Sequence, residues 1–278
     1  MSTQAHDQVD VEPGAPRRSR RLTVIDAPAD APERTPPPTR APRRQPARGS
    51  LLAVCALCGG AGASTLSLLL ARYALAERGG SVLVCDTGGP SGGLAAYARV
   101  RSARSLLELA ELVQAGLPAG QPFATTTDGV RVLAAGPRLP HLEACPERGI
   151  ATVLEHARAA HPLTVVDCST LARPADRIAL RAATHIAWVL PATRSATARV
   201  AGVLEAIDAH LLARQLLIAR RDPTDAKAPM RELRRLAQRC AGPLILLPHL
   251  PDPHQDNPAG ALDAAQVALQ AILGALGR

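Results

Sequence analysis

Lysine is almost missing from this chain of 278 residues: Lys227 is the only one, and the basic side chains are otherwise arginines and a few histidines. Base composition accounts for part of this, because arginine commonly replaces lysine on surfaces. Aromatic residues make up 1% of the chain against 47% apolar residues, so a core has to be built from Leu, Val, Ile and Ala. No apolar run is read as long enough to span a bilayer. The polar start Met1-Ser2-Thr3-Gln4 has no apolar stretch behind it to serve as a signal peptide. Cys55, Cys58, Cys85, Cys145, Cys168 and Cys240 are scattered and are read as reduced thiols, with the cytoplasm as the expected location. Cys55 and Cys58 spell CxxC, but no second CxxC completes a zinc site. His141, His156, His161, His185 and His249 lack ligand spacing, and Ser64, Ser169 and Ser195 lack the G-x-S-x-G setting of a hydrolase nucleophile.

The net charge of +8 is mild for this length. It permits attraction to nucleic acid or an anionic surface without demanding it. Residues 1–49 hold nine arginines and six acids, with Pro36-Pro37-Pro38 in the middle and little that could form a core. They are read as a disordered arm, with Leu22 to Ile25 as its one apolar island. Five arginines and no acid between Arg34 and Arg48 would suit an electrostatic tether. Residues 50–278 are read as one α/β domain.

What the chain does contain is a glycine-rich turn in a telling place. The apolar run Ser50 to Ala56 predicts a buried strand, Leu57-Cys58-Gly59-Gly60-Ala61-Gly62 a tight loop, and Ser64 to Arg78 a helix. A loop of this kind turns several backbone N–H groups inward, and the helix N-terminus adds positive potential, so it cradles phosphate. Strands are predicted at 81–86, 163–167, 184–190, 215–219 and 244–247. Helices are predicted at 105–115, 147–160, 176–183, 194–210, 230–239 and 259–276, with a hairpin around Asp128-Gly129. The alternation predicts a mostly parallel sheet covered on both faces, with its ligand site at the carboxyl ends of the strands. Asp86 and Asp167 end two of those strands beside the loop, as acceptors able to hold metal-bound water. A turn-stabilising or N-capping role is the plainer reading of both.

Cys58-Gly59-Gly60-Ala61-Gly62-Ala63-Ser64-Thr65 resembles the deviant Walker A box of the MinD/ParA ATPases, K-G-G-x-G-K-[ST]. Val82 to Asp86 resembles the family's strand with a water-positioning Asp, and Leu163 to Asp167 its Walker B strand. Leu190-Pro191 and Leu247-Pro248 match further landmarks, and the order is similar to that of the CpaE/TadZ branch, which positions pilus or secretion machinery. The resemblance covers residue 50 to the C-terminus. It implies a doubly wound P-loop NTPase-like fold, ATP as cofactor held by Gly59, Gly60, Ala61, Gly62, Ala63, Ser64 and Thr65, and Mg²⁺ on Ser64 and Asp167. It also implies protein partners and a face-to-face homodimer.

Four positions depart from the family pattern. Cys58 stands where the signature lysine belongs, Ala63 where the P-loop lysine belongs, Gly88 where D-x-D continues, and Ala219 leads into Arg220-Arg221 where an Asn is usual. Base composition would favour arginine at 63, not alanine. Losing one lysine's charge-assisted contacts costs about 2–3 kcal/mol of binding, roughly 30- to 150-fold. Removing one donor to the transferring phosphoryl costs about 100- to 1,000-fold in rate. The expectation is a positioning, assembly or regulatory protein whose loop either binds ATP with little or no hydrolysis or serves only as a tight strand-to-helix turn that binds nothing. The alternatives are an active ATPase in which Arg220 or Arg221 compensates, and a DNA-binding partition factor using the basic arm. Ala259 to Arg278 is apolar and nearly uncharged, which predicts a packed closing helix and not a membrane anchor.

Overall fold

Apolar runs alternating with amphipathic stretches become, in the computed structural model, one eight-stranded sheet with helices on both faces. The structure describes residues 48–87, 93–101, 104–118, 120, 122–135, 145–168, 170–171, 173–205, 214–221, 229–250 and 258–277. The strands are β1 (Ser50–Ala56), β2 (Val82–Asp86), β3 (Ala124–Thr125), β4 (Arg131–Leu133), β5 (Leu163–Cys168), β6 (His185–Pro191), β7 (Gln215–Arg220) and β8 (Leu244–Leu247). The helices are α1 (Ala63–Arg78), α2 (Gly93–Tyr97), α3 (Leu106–Gln114), α4 (Glu147–Ala160), α5 (Pro174–Ala182), α6 (Arg194–Glu205), α7 (Met230–Arg239) and α8 (Pro258–Leu276).

The strand order is β3-β4-β2-β5-β1-β6-β7-β8, parallel throughout except for the β3–β4 pair. Alternation along β1 sorts the core: Leu51, Ala53 and Cys55 pack with α3 to α7, and Leu52, Val54 and Ala56 with α1, α2 and α8. Both faces are covered, which is why the strands read as continuous apolar runs. From β1 the chain crosses first to β2 and later to β6 on the opposite side, so the winding reverses beside β1. The crevice beyond the carboxyl ends at such a reversal is where this architecture receives ligands.

Several boundaries differ from the sequence reading. Gly49, placed in the arm, is held to α4: its N–H donates to Arg158 O at 2.9 Å, and Arg158 Nε donates to Gly49 O at 2.9 Å. A Cβ on Gly49 would lie 1.9 Å from His161 O, so only glycine fits there. The short helix α2 has no counterpart in the sequence reading, because five residues opening on glycine carry too little periodicity to register. Ser105 is not in α3 but caps it, accepting from Glu108 N at 3.2 Å while its own N–H donates to Glu108 Oε2 at 2.8 Å. By length and composition Ala259–Leu276 does pass for a membrane span, contrary to the expectation, with a mean hydropathy of 1.4. Ala261, Ala265, Ala268, Leu269, Ile272, Leu273 and Leu276 are nonetheless buried against the body, and Arg78 donates to Leu273 O at 2.9 Å.

The arm to residue 47, Gly88 and the rest of its loop to residue 92, Gly136-Pro137, His141, Ser169, the end of the helix expected to reach His210, Lys227 and Arg278 lie outside the described residues.

Candidate functional site

The glycine loop joins β1 to α1 at the carboxyl edge of the sheet. Leu57 N–H donates to Val189 O on β6 at 2.9 Å, fixing the start of the loop, and Ala61 N–H donates to Cys58 O at 3.3 Å, closing a turn. Gly60 and Gly62 hold φ of 72° and 92°, where a side chain is strained. Gly62 precedes α1 directly; no side chain caps the helix and no acid lies in its first turn. The first helical bond runs from Leu66 N–H to Gly62 O at 2.9 Å, so the amides before Leu66 have no intrahelical acceptor. They open toward a cleft of about 510 Å³ lined by Gly59 to Thr65, Tyr97, Asp167, Thr170, Arg220, His249 and Leu250.

Ala63 and Cys58 bring no cation to this loop. Ala63 is buried among the core residues around α1, and Cys58 is half-buried against both core faces. Ser64 and Asp167 line the same cleft, and the Ser64 hydroxyl acts to lower the Asp167 carboxyl. Asp167, the penultimate residue of β5, is 3% exposed, and its Oδ1 has no hydrogen-bond partner. Burial, then the Asp86 charge, push its carboxyl up to about 7; the Ser64 hydroxyl opposes this and the Asp176 charge adds to it.

Asp86 and Asp167 are register partners on β2 and β5, so the two carboxylates share an edge. Only Asp167 lines the cleft among the described residues. Asp86 faces the N-terminus of α2 and accepts from Leu94 N–H through Oδ2 at 3.3 Å, an arrangement that matches the capping reading.

A third buried carboxylate escaped the sequence reading. Asp176 is fully buried in the first turn of α5, and its Oδ2 accepts from Arg173 N–H at 3.1 Å. Thr87 Oγ1 lies 2.6 Å from Asp176 Oδ1 and 2.9 Å from the Asp167 carbonyl, and Arg173 donates to Thr87 O at 3.0 Å. Burial raises the Asp176 carboxyl, against the bonds from Thr87 and Arg173. This network ties the end of β2 to β5 and α5 behind Asp167. Pro174 at the first helical position with Asp176 two residues on is a helix-start signature that would have flagged the carboxylate; its partner Thr87 is 89 residues away.

The two arginines after β7 separate cleanly. Arg220 lies over the loop: a Cβ on Gly62 would be 3.7 Å from Arg220 Cδ and 4.0 Å from Nη1. Arg221 is exposed, and its backbone N–H donates to Leu247 O at 2.8 Å. Of the cysteines, Cys55 and Cys168 are buried register partners, and burial with the Asp86 charge pushes Cys85 up to about 12, so the Cys85 thiol is a poor nucleophile.

No family model matches the sequence, and no curated protein matches it. Solved structures do. A ParA family ATPase from Chlorobium tepidum TLS superposes with a TM-score of 0.66 at 14% identity, covering 83% of this chain and 98% of that one. The chain has the MinD/ParA-type fold. A cobyrinic acid a,c-diamide synthase from Mycobacterium smegmatis with bound ADP and magnesium gives 0.57 at 18% identity, covering 83% and 97%. MinD in a MinC:MinD complex from Aquifex aeolicus gives 0.61 at 16%, covering 81% and 96%. Within the MinD/ParA-type fold of this chain, the glycine loop between β1 and α1 is built of glycine, alanine and hydroxyl residues, and Arg220 reaches it from another strand.

Proposed function

We propose that the protein is a MinD/ParA-like positioning, assembly or regulatory factor of the cytoplasm, which binds ATP with Mg²⁺ and hydrolyses it little or not at all. The observation that carries this is the cradle itself: open helix amides and left-handed glycines are in place, while Ala63 sits where a lysine would bring charge. The residues fit the group. Gly59 to Thr65 would hold the phosphates, and Ser64 with the unpartnered Asp167 Oδ1 would hold hydrated Mg²⁺. The metal would supply charge neutralisation at the phosphates. What the loop itself does not supply is a lysine, at 58 or at 63, to stabilise charge building up during phosphoryl transfer, a deficit of about 100- to 1,000-fold in rate for each missing donor. Binding of ADP and magnesium by the mycobacterial synthase, and of MinC by Aquifex MinD, supports nucleotide and protein partners for this chain. Pilus or secretion machinery is the partner class that the CpaE/TadZ resemblance favours.

A radiolabelled ATPase assay on the purified chain with Mg²⁺ tests this reading. Turnover at background is expected. Turnover matching an active relative assayed alongside, abolished by Asp167→Ala, would overturn it. That outcome belongs to a second reading, an ATPase assisted by arginine, which the position of Arg220 over Gly62 favours.

A further inference from the structure

Arg220 is held as a working side chain would be, without the partners of a structural one. Its backbone is fixed at the end of β7, in register with Pro191 on β6 and Leu247 on β8, and its carbonyl accepts from Ala192 N–H at 2.8 Å. From there the side chain crosses toward a loop that belongs to β1, two strands and about 10 Å away. It ends over Gly62, the residue before Ala63, and lines the same cleft as Ser64 and Asp167. Its Nε is buried with no hydrogen-bond partner. Asp167 does not absorb its charge either, since the groups acting on that carboxyl are Asp86, Ser64 and Asp176. A buried N–H of an arginine left without an acceptor, beside helix amides also without acceptors, marks a place where an anion belongs.

We infer that Arg220 is the phosphate-binding cation of this cradle, taking from across the sheet the place a lysine at position 63 would fill. The inference rests on the reading that the cradle holds a nucleotide, and it names the ligand class, a nucleoside di- or triphosphate. The planar guanidinium carries five N–H donors in a fork that matches two phosphate oxygens, so one arginine gives bidentate contact where lysine gives a point charge. Gly62 is needed for its φ of 92°, while a Cβ there would meet Arg220 only in ordinary van der Waals contact.

Equilibrium dialysis of the full chain against radiolabelled ATP and pyrophosphate, with Mg²⁺, tests the inference. Arg220→Ala and the similarly sized Arg220→Gln are expected to weaken both ligands by about 30-fold or more. Arg221→Ala should change neither beyond about 2-fold, because its side chain is exposed outside the cleft. Ala63→Lys added to Arg220→Gln should restore binding. Thermal melts of each variant identify any that fail to fold, and the two Arg220 substitutions guard against losing one. Wild-type affinity in a folded Arg220 variant would overturn the inference and leave the nucleotide-binding reading standing. No binding by the wild type but binding by Ala63→Lys alone would show a sound cradle that Arg220 does not complete. No binding by either would overturn both.

Discussion

At the scale of single residues, the site is set by what burial does to charge. Asp167 illustrates it: an ordinary carboxylate near 3.8 is pushed to about 7 by burial and by Asp86 beside it. The native state therefore holds a proton that the unfolded chain releases between about pH 4 and pH 7. The sign follows from linkage: stability from this group is full below about pH 4, falls as pH rises toward 7, and is level above it. In metal-free buffer, Asp167→Asn should remove that slope and stabilise the protein at pH 8 by up to roughly 4 kcal/mol, measured by urea unfolding at pH 5 and pH 8. An unchanged slope would mean that other groups carry it. Arg220 was legible as a candidate because it follows directly on a strand whose end falls at the ligand edge. Asp176 and Thr87 were not, because their contact joins residues far apart in sequence and neither forms a motif alone. Asp86 and Asp167 were legible as a pair on one edge, but not as two groups facing different neighbours. That division depends on α2, whose five residues leave little trace in the sequence.

At the scale of elements, helices announced themselves through apolar spacing, and caps set their ends. Ser105 stands three residues before Glu108, and this pairing turned an expected first helical residue into a cap. Ser105→Ala should cost about 1 kcal/mol of stability in urea unfolding, while Glu108→Gln, which can still reach back, should cost less. Close helix contacts were less legible, since nothing in the sequence reveals which glycine lies under another helix. A Cβ on Gly149 of α4 would be 2.0 Å from Ala110 O of α3, and that acceptor is backbone and cannot turn aside. Gly149→Ala should therefore destabilise the protein by about 1–3 kcal/mol or more by driving α3 from α4. Gly202→Ala on α6, which meets nothing within 4 Å, should be neutral or slightly stabilising in the same measurement.

At the scale of the whole molecule, the sheet was the most legible feature. Strands covered on both faces have to be apolar along their length, and with almost no aromatics those runs are mainly Val, Leu, Ile, Ala and Cys, with Trp188 in β6 as the exception. The same plan brings the glycine loop, Asp167 and the end of β7 to one cleft from three separate strands. The loop alone reads as a phosphate site that has lost its cation. The assembled edge returns a cation to it from β7. The central claim is that this cleft still holds a nucleotide, and calorimetric titration of Mg·ATP into the full chain, beside Gly62→Val, tests it most directly. Saturable one-site heat in the wild type, absent in Gly62→Val, is the predicted result. No heat in the wild type, or equal heat in both proteins, would contradict it.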